Sequence, residues 1–534
     1  MEKRGTVLTD RYFWLAMVAA GFFLSLTLWF GFTMDQAIFN YVAWVWKEFQ
    51  GPPYVAAWDH SFPGIFIIHR LVLEIFGPSF FGFRFFDFLV QLSSAGMIFY
   101  LSRKFSGSSP GGFFSALAYS IYYFGLGGLE TGEREGFILW LLLSSLVLSI
   151  GLQGRVLLRS ALVGLLLGFA FQLKPTFGLS WPVFGVWFWA QGIHKRPRAV
   201  LGELFIFSLA CVLPSLLFAL FYWRIGHFND LYQAIIWFNF HIYGSTTEAI
   251  RGLSRGMLTV AIANSFFLKE PAVLIFGGMG ILLAWANRDR PEPQPFFRVL
   301  LALIAVGLSS FIIQAKFFPY HLIPFFGLMM IFAGSGIYWL ARELKDQASG
   351  LKSRLDPAFF YLAVVLLLIA GINPKLLDSA AAYSFRSLDQ AYSSGSSYDA
   401  YYYRAAKYMR SFISEQDRIE YFGWQPLLPY LLRKKLPSRF CCVHHLLMRQ
   451  KNGRISELQE KWIQEYTSEV ISARPRFFLV SDLVPGWEVF NLEYPSLKRA
   501  LKEKFPELQN FLNQNYKLKT KLGEIEVYEL NVSN

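Results

Sequence analysis

From residue 12 to residue 373 the sequence returns repeatedly to apolar runs about as long as a bilayer is thick. A helix rising about 1.5 Å per residue needs about 20 mostly apolar residues to cross a hydrocarbon core about 30 Å thick. Such runs lie near 12–32, 80–102, 113–128, 136–153, 160–173, 177–191, 201–222, 271–287, 298–315, 320–341 and 357–373. About eleven transmembrane helices are therefore expected. The first run follows Lys3, Arg4 and Arg11. It is longer than the apolar core of a signal peptide and lacks a small-residue cleavage site, so it reads as a retained first helix.

Composition excludes the soluble alternatives. Only 16% of residues are charged and 54% are hydrophobic, whereas a water-facing chain carries about 25% charge. With 3 cysteines there is no disulfide framework. Cys211 lies in an apolar run, and Cys441 and Cys442 are adjacent, a spacing that strains any mutual disulfide.

Charge is unevenly distributed, and this sets the domain boundary. Of 50 Lys and Arg and 37 Asp and Glu, 23 and 18 fall in residues 373–534. The sequence thus divides into a transmembrane part, 1–373, a Ser/Gly/Tyr-rich connection, 374–403, and a soluble domain, 404–534. Within the last, 404–414 and 426–434 read as helices, and 418–422, 475–481 and 522–530 as strands. A small α/β domain is expected. His444 and His445 beside the two cysteines are contiguous, so their side chains point in different directions, and no metal site is read there.

Basic clusters at the N-terminus, Arg103-Lys104, Arg155/Arg159, Lys195/Arg196/Arg198, Arg288/Arg290/Arg298 and Arg342/Lys345/Lys352/Arg354 mark the cytoplasmic loops. The N-terminus is then cytoplasmic and the C-terminal domain extracytoplasmic, in a multi-pass plasma (inner) membrane protein. Much of the net charge of +13 records this sidedness and is no sign of nucleic acid binding.

The ionisable residues of the outer loops are the candidate site. Asp35 follows the first span, at the membrane–water boundary. The segments 36–49 and 65–76 read as interfacial helices on either side of Gly51-Pro52-Pro53 and Asp59-His60. The second outer loop holds Glu130, Glu133, Arg134 and Glu135; Lys174-Pro175, Lys316, Tyr320 and His321 share the same level. Each alone has an ordinary reading: a solvated acid, a helix cap, an acid at a helix start, a snorkelling lysine. Their concentration at one membrane face is costly enough to point to function.

The order of these features resembles the GT-C membrane glycosyltransferases, a group with protein O-mannosyltransferases, aminoarabinose lipid A transferases and lipopolysaccharide galacturonosyltransferases. The resemblance rests on Asp35-Gln36 after the first helix, Gly51-Pro52-Pro53-Tyr54, and Asp59-His60-Ser61-Phe62-Pro63. It continues through Phe81-Gly82-Phe83-Arg84, the acidic loop 130–135, Leu173-Lys174-Pro175, and Lys316-Phe317-Phe318-Pro319-Tyr320-His321-Leu322-Ile323-Pro324. Gln36 replaces a frequent second acid, so no DxD pair stands in the first loop and a bound divalent metal is not favoured. No cofactor is expected.

The resemblance implies a polyprenyl-phosphate-sugar donor, a hydroxyl acceptor on a lipid, glycan or protein, and inverting transfer at the outer face of the bilayer. Asp35 would be the general base. Arg134, then Lys174 and Lys316, would hold the leaving phosphate. Asp59, His60, Glu130 and Glu133 would bind substrate or tune Asp35, and Tyr320 and His321 would line the donor pocket. A transporter or lipid flippase is the alternative from another class. It is disfavoured by acids at helix ends rather than mid-membrane and by the lack of an internal repeat. A polysaccharide ligase or polymerase of the same fold is a further alternative.

Overall fold

The structure is a computed structural model that describes residues 7–32, 34–192, 197–244, 270–286, 294–349, 390, 398–482 and 491–531. It separates into two compact units, each built from dispersed segments. The first comprises 1–30, 84–217 and 256–384; the second comprises 31–83, 218–255 and 385–534. The expected boundary at 373 lies outside the described residues.

The helical framework follows the apolar runs. Helix α1 (Arg11–Ser25) continues as a 3-10 turn to Trp29. Helices α2 (Met34–Phe49) and α3 (Gly64–Phe76) belong to the second unit. Then come α4 (Phe80–Ser106), α5 (Ser109–Gly125), α6 (Arg134–Gly151), α7 (Val156–Leu173), α8 (Ser180–Gly192) and α9 (Pro197–Arg224). A short α10 (Phe228–Tyr232) runs into a π-helical stretch, Gln233–Tyr243. Helices α11 (Pro271–Ala286), α12 (Gln294–Gln314) and α13 (Ile323–Ser349) complete the first unit's described part.

Ten of the eleven expected spans coincide with helices, and the run 357–373 lies outside the described residues. Among the described residues, 7 helices are long and apolar enough to cross a membrane. Helices α5, α8 and α11 are shorter, at 17, 13 and 16 residues. The chain is a multi-pass membrane protein. Lipid-facing surface is plain on α9, where Leu201, Phe205, Leu209, Leu216 and Leu220 are all exposed.

Helix α13 is the packing centre of the first unit, and glycine makes that possible. A Cβ on Gly334 would stand 2.0 Å from the Gly111 carbonyl oxygen of α5, and one on Gly280 of α11 would stand 2.1 Å from that of Phe332. In lipid, where water drives no helix association, such close backbone approach is a main source of helix–helix attraction.

In the second unit, α2 is not an exposed interfacial helix. Gln36 through Val45 are buried without a break. C-terminal residues supply the cover: the Leu436 backbone N–H donates to the Tyr41 hydroxyl at 2.8 Å, and Tyr430 packs on Trp44. The sequence periodicity marks an apolar stripe but not which partner shields the rest.

The C-terminal segment forms a four-stranded sheet of order β1-β2-β4-β3. Strands β1 (Ile419–Phe422) and β2 (Phe477–Ser481) run parallel, joined across a long helix, Glu457–Ala473, that opens with a Ser456/Gln459 capping box. The strand expected over 522–530 is present as Ile525–Leu530, and it is preceded by a strand that was not expected, with which it forms a hairpin. Strand β3 (Tyr516–Leu522) turns at Gly523, φ +53°, into β4 (Ile525–Leu530), which pairs antiparallel with β2. Tyr398–Tyr403, expected within the connection, lie in a helix, Tyr398–Met409.

Candidate active site

The first unit gathers one set of ionisable residues at three chain junctions. Helix α7 ends at Leu173 because the next residue, Lys174, precedes a proline. Steric conflict with the proline ring pushes such a residue out of the helical region, and Lys174 is extended, φ −158° and ψ 113°. The residue is 8% exposed, and its side chain forms a hydrogen-bonded ion pair with Glu135, which is fully buried in the first turn of α6. The same Glu135 oxygen lies 3.7 Å from Nε2 of His321.

The segment before α13 brings in the remainder. Ala315 (φ 50°) and Phe317 (φ 56°) both adopt the left-handed region on either side of Lys316. A non-glycine residue there costs about 1–2 kcal/mol, strain that concentrates at functional positions. Lys316 is 8% exposed, and burial pushes its ammonium down to about 7. The Tyr320 backbone N–H donates to Oε2 of Glu130 at 3.1 Å, and Nζ of Lys174 stands 6.0 Å from the Tyr320 ring centroid. The buried His321 lies in the field of Lys174, Arg134 and Lys316 together. Thus Glu130, Arg134, Lys174, Lys316, Tyr320 and His321 converge. Glu133 is buried at the N-cap of α6, beside Arg134.

Helix α4 holds the acidic loop in place from behind. Arg84, fully buried, donates to the carbonyls of Phe30 at 3.1 Å, Gly128 at 3.3 Å and Thr131 at 3.0 Å. One turn on, Asp87 accepts from the Tyr123 hydroxyl at 2.9 Å, and that hydroxyl accepts from the Gly132 N–H at 2.8 Å.

The second unit gathers Asp35, Asp59 and His60. Asp35 is the second residue of α2, half-buried in its first turn. Asp59 is 1% exposed; its Oδ2 accepts from the Ser61 N–H at 2.8 Å, while Oδ1 lies 3.5 Å from Nδ1 of His60 and 3.9 Å from Nε2 of His445. Burial alone would raise the Asp59 carboxyl, but His60, His445 and the Ser61 bond outweigh it and hold the group well below the usual carboxylate range. The Asn239 amide donates to the His60 carbonyl at 2.8 Å, and the Tyr54 hydroxyl to that of Ser61 at 2.7 Å. Cys442 lies in the field of both Asp59 and Asp35.

Several of these residues are given no role by the sequence. Glu135 sits in the acidic loop, but nothing local distinguishes it from Glu133. Glu270, 4% exposed before Pro271, acts with Glu130 on Tyr122; its signal was an acid directly before the expected span 271–287. His445 stands 386 positions after Asp59, beyond the reach of any motif.

Residues 59–223, from Asp59 to the end of α9, match the dolichyl-phosphate-mannose-protein mannosyltransferase family. Among solved structures, ArnT from Cupriavidus metallidurans bound to undecaprenyl phosphate is similar over 98% of both chains, with TM-score 0.54 and 15% identity. The fold is that of the GT-C membrane glycosyltransferases. The GT-C framework extends to the Archaeoglobus fulgidus oligosaccharyltransferase tethered with an acceptor peptide. There the TM-score is 0.51 at 11% identity, over 96% of this chain and 73% of that one. Among curated proteins none matches the sequence.

Proposed function

We propose that this GT-C protein transfers a sugar from a polyprenyl-phosphate donor to a hydroxyl acceptor at the outer face of the membrane, with inversion at the anomeric carbon. The observation that carries the reading is the convergence of Arg134, Lys174 and Lys316 on His321. Ionisable groups gathered at the ends of membrane helices are costly and mark functional positions, and a group this rich in cations suits an anionic ligand. A phosphate leaving group is such an anion, and the undecaprenyl phosphate held by the ArnT structure supports that chemistry.

In the proposed step the acceptor oxygen attacks the anomeric carbon while the bond from that carbon to the phosphate oxygen breaks. The hydroxyl proton passes to Asp35, and the electron pair of the broken bond leaves on the polyprenyl phosphate. Base assistance contributes about 10²–10⁴-fold. Charge stabilisation in a low-dielectric site is often the larger part. Arg134 suits it because a planar guanidinium grips two phosphate oxygens at once. Lys174, which also pairs with Glu135, and Lys316 would stand beside Arg134 at the phosphate. Asp59 and His60 would bind sugar hydroxyls, and Tyr320 would line the donor pocket.

The test is turnover of the purified protein in lipid nanodiscs, supplied with labelled polyprenyl-phosphate sugars and a membrane extract as acceptor. Asp35→Asn should abolish release of polyprenyl phosphate while donor binding survives. Arg134→Ala should weaken both. Wild-type turnover in Asp35→Asn would remove Asp35 as the base. Movement of intact donor lipid without a new glycosidic bond would overturn the reading altogether.

A further inference from the structure

Strand β1 ends at Phe422, and the turn Gly423-Trp424-Gln425-Pro426 leads into a short helix, Leu427–Leu432. β1 pairs parallel with β2, and sheets of parallel strands bind ligands beyond their carboxyl ends. At this end of β1, Gln425 is fully buried, and neither its amide oxygen nor its amide nitrogen has a hydrogen-bond partner. Buried polar atoms are nearly always bonded, and each exception needs an explanation. Two such atoms on one side chain are costly in the free protein.

The turn adjoins the proposed base. The Trp424 indole N–H donates to the thioether of Met34, the residue before Asp35. The segment after Cys442 ties the turn down: the Val443 N–H donates to the Gly423 carbonyl at 3.2 Å, and Nδ1 of His444 lies 2.9 Å from the Trp424 carbonyl. Cys442 itself lies in the field of both Asp59 and Asp35. Hydroxyls line the carboxyl edge as well. A Cβ on Gly423 would stand 2.4 Å from the Tyr421 hydroxyl oxygen, so that phenol packs directly on the turn. The Tyr421 hydroxyl lies 3.3 Å from that of Tyr402, which lies 3.4 Å from that of Ser481 at the end of β2.

We propose that the Trp424-Gln425 turn is a sugar subsite, in which the Gln425 amide bonds neutral hydroxyl groups of a substrate held beside Asp35. The inference rests on the proposed sugar transfer. An amide offers an acceptor and two donors without charge. A hydroxyl both donates and accepts, so sugar hydroxyls satisfy both ends of it, whereas a phosphate dianion accepts only and leaves the amide oxygen unbonded. A thioether is a weak acceptor on a flexible side chain, so Met34 can give way to a sugar oxygen at the Trp424 N–H. The donor sugar and a saccharide acceptor both carry such hydroxyls. A buried amide that the wrong ligand leaves unbonded is a strong basis for selectivity.

The experiment compares wild type with Gln425→Met, which keeps the side-chain length and removes both polar atoms, in lipid nanodiscs. Without substrate, Gln425→Met should have the higher thermal midpoint, because it deletes unbonded buried atoms. An equal or lower midpoint would mean that the amide is bonded in the free protein and would overturn the proposal. Undecaprenyl-phosphate-linked glucose, mannose and galactose then serve as donors, with a membrane extract as acceptor. Turnover at limiting substrate should fall about tenfold or more in Gln425→Met. Weaker donor binding without acceptor assigns the subsite to the donor sugar; unchanged donor binding with a raised KM for the acceptor assigns it to a saccharide acceptor. If wild type turns over and both constants are unchanged in the variant, the subsite falls and sugar transfer stands. A wild-type protein that transfers sugar from no donor removes the sugar-transfer reading and the subsite with it.

Discussion

Arg84 donates from one guanidinium nitrogen to both oxygens of Thr131, the backbone carbonyl at 3.0 Å and the side-chain hydroxyl at 3.1 Å. With the bonds to Phe30 and Gly128, the guanidinium joins the end of the first membrane helix to the acidic loop. Its role is positioning: the loop that carries Glu130 and leads into Arg134 is held by a residue of α4.

Thr131→Val removes the hydroxyl that accepts from Arg84 and donates to the Gly127 carbonyl at 2.9 Å; it should cost about 1–3 kcal/mol, seen as a drop in thermal midpoint in detergent. Arg84→Gln leaves several buried carbonyls unsatisfied, each worth about 1–3 kcal/mol, and should lower the midpoint far more. If the two variants proved equal, Arg84 would not be the clamp.

The Lys174–Glu135 pair separates a structural role from a binding one. Lys174→Met leaves an uncompensated buried carboxylate and should destabilise the chain by about 3–5 kcal/mol. Adding Glu135→Leu should restore most of that stability, since apolar replacements of buried ion pairs are often neutral. Under the proposed function the double variant remains impaired in turnover. Thermal unfolding and transfer assays on the same three proteins check both halves.

Lys316 predicts a pH dependence of donor binding. Burial pushes its ammonium down to about 7, so below that pH the charge is already present for a phosphate. Above it, binding must first take up a proton, and affinity should fall by up to about tenfold per pH unit. Lys316→Arg stays charged throughout and should flatten the profile. Polyprenyl phosphate binding measured from about pH 6 to about pH 9 decides it.

Glu420 makes a prediction for stability. Burial in β1 pushes its carboxyl from 4.5 up to about 7, partly offset by the Tyr466 hydroxyl that donates to it at 2.6 Å. The folded state therefore keeps this proton after the unfolded chain has lost it. Stability should fall as pH rises from about 4.5 to about 7, by up to about 1.4 kcal/mol per unit. Glu420→Gln keeps an acceptor for Tyr466 and should raise the thermal midpoint at pH values above about 7. Identical pH profiles for the two proteins would exclude this group as the cause.

Much of the framework was legible because its signals are local. Apolar runs of bilayer length became helices, Lys174 before Pro175 ended α7, and 419–422 and 477–481 became strands. The misreadings came where a local pattern has two solutions. The strand read over 522–530 is β4, which starts at Ile525 because Gly523, φ +53°, turns the chain; the strand before that turn, β3, was not read. The amphipathic pattern of α2 fits a headgroup interface as well as a protein cover, and C-terminal residues provided the cover.

The candidate site divides in the same way. By itself the sequence determined that this is a membrane protein, where its helices begin and end, and which acids and cations lie at their ends, because hydropathy and backbone sterics act over a few residues. Only the tertiary structure decided that Lys174 neutralises Glu135, that Arg84 holds Thr131, and that His445 comes to Asp59. Those contacts join residues 39, 47 and 386 positions apart. Over such separations the outcome is set by how whole helices and strands pack, and no local pattern records it.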